Sequence, residues 1–113
     1  MQIRKSYREV NPELLYAEIR DFALKQGVSP GEEKMETYAL PGDTSSFITR
    51  GTLSFEAQDG AGQGRECLRA HVVGSARTET KLMLDGDDKL FPPEKLSALQ
   101  TDLDFIFGSC EVK

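Results

Sequence analysis

One histidine and two cysteines are the whole supply of imidazole and thiol groups in this 113-residue sequence. Cys67 and Cys110 lie far apart, in no metal or redox spacing, and read as free thiols. Cys67 and His71, four residues apart on one strand, would be separated by ~13 Å, too far for a catalytic dyad. Long apolar runs are missing too. Nothing approaches the ~20 residues of a membrane span. Arg4, Lys5, Arg8 and Glu9 also break up any leader-like segment at the start. Nor is there a basic block: 19 acids against 14 Lys and Arg give a formal charge of −5, which argues against nucleic acid or an anionic membrane as partner. No repeat or low-complexity segment is visible. These gaps lead us to expect a cytoplasmic protein without cofactor or metal, monomeric or homodimeric, and a binder rather than an enzyme.

What is present suits a globular fold. Hydrophobic residues make up 38% and charged residues 29%, unlike a disordered chain, and the length fits a single domain over residues 1–113. Residues 2–10 read as a strand, with Ile3, Tyr7 and Val10 apolar. Asn11-Pro12-Glu13 supplies a cap, a first-turn proline and an acid at the positive end of a helix. Leu15, Ile19, Phe22 and Ala23 form its stripe, widened by Leu14, and Gly27 stops it. After a linker over residues 28–33, strands are expected at 34–40 and 47–58, separated by Pro41-Gly42-Asp43. The three glycines of residues 59–64 precede a strand rather than a helix, so they form a loop and not a phosphate cradle. Strand character returns at 65–73 and 76–84, as two strands or one long bent strand. Residues 85–89 lack the ligand spacing of a calcium loop. Pro92-Pro93-Glu94 opens a second helix with the stripe Leu96, Leu99, Leu103 and Ile106, broadened by Phe107 and ended by Gly108. The expected class is α+β, with an antiparallel curved sheet of about four to six strands and the order β-α-β-β-β-β-α.

Strand alternation divides the side chains into two faces. Phe47, Thr49, Gly51, Leu53 and Phe55 share one, and Arg50, Thr52, Ser54 and Glu56 the other. Between residues 65 and 84, hydrophobicity turns Leu68, Ala70, Val72, Thr78, Thr80, Leu82 and Leu84 inward and leaves Arg69 and His71 outside. A two-residue turn at Gly74-Ser75 would instead pair His71 with Thr78 and Arg69 with Thr80, placing them on one face. A bulge at Gly74, or a continuous bent strand, would reconcile the two readings. Small inward residues such as Thr49, Gly51, Ala70, Thr78 and Thr80 suit either close helix packing or a cavity, and their hydroxyls tip the balance toward a lined pocket.

The stretch from Ser6 through Tyr16, continuing to Ile19, Asp21 and Phe22, resembles the opening of the START/polyketide-cyclase-like helix-grip superfamily, as does the element order. The resemblance implies a curved sheet gripping the last helix around a hydrophobic cavity; a cystatin-like sheet around the first helix is the rival topology. It implies a non-catalytic binding module for a hydrophobic or amphipathic small molecule. The cavity candidates are Phe47, Thr49, Leu53, Phe55, Arg69, His71, Thr78, Thr80, Leu99 and Leu103. One alternative is an interaction or assembly protein using a helix face or a sheet edge. Another is a cyclase- or hydrolase-like enzyme in which Arg69 and His71 polarise a carbonyl.

Overall fold

The α+β order read from the periodicities is the order observed. A computed structural model describes residues 1–112, apart from the side chains of residues 40 and 43–46. Its elements are β1 (Gln2–Arg8), α1 (Pro12–Lys25), β2 (Ser29–Leu40), β3 (Asp43–Gln58), β4 (Gly64–Gly74), β5 (Glu79–Gly86) and α2 (Pro93–Phe107), followed by a 3-10 turn at Gly108–Cys110. The strands form one five-stranded antiparallel sheet in the order β1-β5-β4-β3-β2. Helix α1 therefore carries the chain from one sheet edge to the other, and four strands then meander back. No helix among the described residues is long and apolar enough to cross a membrane.

Local chemistry explains both helices. The Asn11 side chain accepts the Glu13 N–H at 2.8 Å, satisfying a free donor of the first turn. Leu15, Ile19 and Ala23 are fully buried, whereas Leu14 is 62% exposed, so the α1 stripe is narrower than expected. Gly27 takes φ +88°, a conformation that costs glycine nothing. Helix α2 follows Pro92 without a side-chain cap and buries Leu96, Leu99 and Leu103. Its stripe continues into half-buried Phe107 and leaves Ile106 45% exposed, because eleven residues complete three turns from Leu96 while ten fall short. The Phe107 ring meets Tyr7 edge-on at 6.1 Å, and Lys95 Nζ donates to the Gln26 carbonyl at 3.0 Å, tying α2 to the end of α1.

Both helices lie on one face of the sheet. The core there is built from Tyr7 of β1, Leu82 and Leu84 of β5, Leu68, Ala70 and Val72 of β4, and Leu53 and Phe55 of β3. At Gly51 a Cβ would stand 2.6 Å from the Tyr16 ring, so glycine lets α1 approach the sheet. Buried Thr80 donates its hydroxyl to the Val10 carbonyl at 2.8 Å. At these positions the small inward residues serve close packing, and the Thr80 hydroxyl is satisfied by main chain rather than by a pocket.

Three readings of the sheet are corrected. Strand β2 begins at Ser29, not Lys34, because a bulge between Pro30 and Glu33 absorbs the irregular residues and the Ser54 hydroxyl accepts the Glu32 N–H at 2.7 Å. Strand β3 begins at Asp43 rather than Phe47. Between β4 and β5 there is neither a two-residue turn nor a bulge at Gly74. Residues 75–78 form the loop, Gly74 pairs with Thr80, and His71 pairs with Met83. The hydrophobic alternation was the better guide, because it alone keeps Arg69 out of the core.

Candidate functional site on the open face of the sheet

The ten residues expected to share a cavity fall into separate places. Leu53, Phe55, Leu99 and Leu103 are fully buried core residues, as is Thr80. Thr78 is exposed in the β4–β5 loop. Thr49 and 51%-exposed Phe47 line an open hollow of about 380 Å³ beside Asn11 and Pro12 at the start of α1. Arg69 and His71 project from the opposite face, which carries no helix. One inward set thus becomes two faces, because the observed β4–β5 register differs in phase from the two-residue turn that would have joined them.

The open face organises His71. Cross-strand pairing sets Thr52, His71, Met83 and Arg4 in one row, and Arg50, Val73, Lys81 and Ser6 in the next. Between them lies a depression of about 490 Å³ lined by Arg4, Ser6, His71, Val73, Lys81 and Met83, with Lys5 and Leu82 below. His71 Nδ1 lies 3.4 Å from the Thr52 hydroxyl, which orients the ring. Arg69 is withdrawn from this group: Glu66 holds its guanidinium at 2.6 Å and Glu32 at 3.4 Å. Arg4, Arg50 and Lys81 make no ion pair among the described residues. An acidic protein thus carries free cations around two apolar side chains. Cations around an apolar patch are complementary in charge and polarity to an anion with an apolar body.

Among the described residues no cluster of His, Cys, Asp and Glu could hold a metal. Cys67 is not on this face at all. An irregularity opposite Phe55 and Glu56 leaves it without a pairing partner and buries it, which pushes its thiol up and keeps it protonated. The sequence reading missed Arg4, Val73, Lys81 and Met83 as site residues. Only the β1–β5 register brings Arg4 beside Met83.

Two further charged groups lie on the helix side. Lys5 Nζ, on a side chain only 12% exposed, bridges Asp104 at 2.9 Å and Glu111 at 3.0 Å. Burial disfavours its charge, but the two carboxylates outweigh burial and raise its pKa. Elsewhere, Glu18 of α1 meets Asp102 of α2. The buried Asp102 Oδ2 has no hydrogen-bond partner among the described residues, and the neighbouring Glu18 carboxyl can donate to Asp102 only when protonated. The hydrogen bond to Asp102, followed by burial, raises the Glu18 pKa. The protonated pair therefore stabilises the fold at acid pH, and this stabilisation is lost as pH rises through the raised value. Glu18→Gln is expected to raise stability at pH 7 by ~0.5 kcal/mol, discounted because Glu18 is partly exposed, and to change little at pH 4. Thermal melts at the two pH values measure this, and an equal effect at both would rule out the proton as the cause.

Comparison with protein-family models, curated proteins and solved structures finds no match to this chain.

Proposed function

We propose that this chain is a non-catalytic binding module for an amphipathic small molecule with an acidic group, seated on the open face of the sheet. The observation that carries the reading is the 490 Å³ depression, in which Val73 and Met83 provide an apolar floor and Arg4 and Lys81 make no ion pair among the described residues. Its size falls within the usual range of small-ligand sites, and a few placed polar groups over an apolar lining are their usual composition. Arg4 and Lys81 take the acid group, His71 contributes a directed N–H or acceptor, and the floor takes the apolar body. The ligand thus lies outside the helix-packed core rather than between the sheet and α2.

Anilinonaphthalene sulfonate, an apolar aromatic body with one sulfonate, is a suitable probe. Its fluorescence should rise on binding, and Arg4→Gln with Lys81→Gln should weaken the Kd by about tenfold or more, the loss of charged hydrogen bonds. Val73→Asp should weaken it further. Arg69→Gln, a change to a side chain already held by carboxylates, should leave it unaltered. Decanoate should displace the probe and decylamine should not. Equal affinity in wild type and the Arg4/Lys81 variant, or no binding at all, overturns the reading.

A further inference from the structure

The two edges of the sheet are treated differently. The outer edge of β1 is covered: Glu111 bridges to Tyr7, and the Val112 N–H donates to the Ser6 carbonyl at 2.7 Å. The outer edge of the twelve-residue β2 pairs with no strand among the described residues, nearly all of which are exposed along it. Natural edge strands are usually blunted by shortness, proline, bulges or charged side chains, and along its middle β2 has only the charges. Here Pro30 and one bulge sit at the start and a second irregularity follows Ala39, so residues 33–39 between them run on with neither. Met35 is 39% exposed on this segment and Tyr38 is 48% exposed.

We propose that β2 pairs with β2 of a second copy, antiparallel and centred on Met35, so that two five-stranded sheets become one. Charge pattern selects both occupant and register. A two-fold antiparallel pairing sets one residue opposite its own copy, and its neighbours then pair symmetrically. Centred on Lys34, that lysine meets itself; centred on Glu36, that glutamate meets itself. Centred on Met35, Lys34 faces Glu36 of the second copy and Glu36 faces Lys34, giving two opposite-charge pairs on one face. Within one chain Lys34 already lies 3.0 Å from Glu36, so the dimer closes the four side chains into a ring of alternating charge. Met35 then packs on its own copy on the other face, and Glu33 meets Thr37. Glu33 is no obstacle, because Arg20 of α1 already pairs with it at 2.6 Å. Glu32 falls opposite Tyr38. The open-face depression lies on β1, β5 and β4, away from this edge, so the inference stands apart from the ligand reading.

Charge exchange tests it. Light scattering and sedimentation should show a concentration-dependent dimer of the full chain. Lys34→Glu alone and Glu36→Lys alone should each weaken it by about tenfold, since each sets like charges opposite one another twice. An equimolar mixture of the two variants should restore dimerisation. One variant then carries two acids at positions 34 and 36, and these face the two lysines that the other carries at positions 36 and 34. Met35→Cys should form an intermolecular disulfide on mild oxidation and Thr37→Cys should not, because only residue 35 lies opposite itself. Lys34, Met35 and Thr37 are exposed and Glu36 is half-exposed, so the variants should remain folded. A monomer at millimolar concentration overturns the proposal. So does a dimer indifferent to the charge variants, a mixture no stronger than its components, or preferential cross-linking through residue 37.

Discussion

Gly74→Ala is expected to destabilise the fold by ~3 kcal/mol or more, the range of a forced overlap in a packed interior. Gly74 is buried at the end of β4, opposite Thr80. A Cβ there would overlap the Glu79 carbonyl oxygen and the Thr80 Cα. Both are backbone atoms, so no side-chain rotation relieves the overlap. The β4–β5 hairpin would have to open, and with it the Thr80 hydroxyl bond to Val10. Gly60→Ala and Gly64→Ala are the matched controls: an added Cβ at either meets nothing within 4 Å, so each should change stability by less than ~0.5 kcal/mol. Urea unfolding of the three variants decides the matter. If all three shift alike, the glycines act through backbone freedom and not through contact.

The second large effect is expected at Lys5. Lys5→Met should cost ~1–2 kcal/mol, because it leaves half-exposed Asp104 and largely buried Glu111 together without a cation. It also releases the chain end, since Glu111 is held to β1 partly through this ammonium. Beside it lies Tyr7, fully buried, its phenol oxygen without a partner among the described residues. Burial pushes the phenol up to about 12, Lys5 opposes that rise, and the nearby carboxylates add to it. Both groups have raised pKa values. Their contributions are therefore present below the ordinary tyrosine and lysine values and lost as pH climbs through the raised ones. Wild-type stability should fall between about pH 10 and 12 as the unfolded phenol ionises before the folded one. In Lys5→Met the Tyr7 titration, followed by ultraviolet absorbance, should move still higher. Tyr7→Phe should be neutral or slightly stabilising, because it deletes a buried hydroxyl that has no partner. A marked loss in Tyr7→Phe would mean that the oxygen is satisfied after all.

The parts of this fold that were legible in the sequence are those decided within one turn or one strand. Asn11-Pro12-Glu13 and Gly27 mark α1 because a cap needs only its neighbours. The alternation of Leu53, Phe55, Leu68, Ala70, Val72, Leu82 and Leu84 marks the inward face because burial is a property of each strand's parity. The misread features depend on distant partners. The β4–β5 register hangs on how Gly74 sits over Thr80 and not on the favoured residues of a tight turn. Cys67 reads as outward by parity, and only the mismatch with β3 turns it inward. The depression on the open face joins Arg4 to Met83 across nearly eighty residues of chain, which no local pattern announces.

The route of α1 from one sheet edge to the other also orders the assembly in time. Strands β2 to β5 each pair with a sequence neighbour, so three successive hairpins can close cheaply. Strand β1 has no such neighbour. Its first residue pairs with Asp85, so it cannot dock until β5 is in place. The chain end over residues 108–112 can in turn settle only on a docked β1. The same hierarchy runs backwards in the native state. Amides of β1 and of the segment beside it should exchange with solvent through openings of lower free energy than those of β3 and β4. The last strand to arrive is the first to leave.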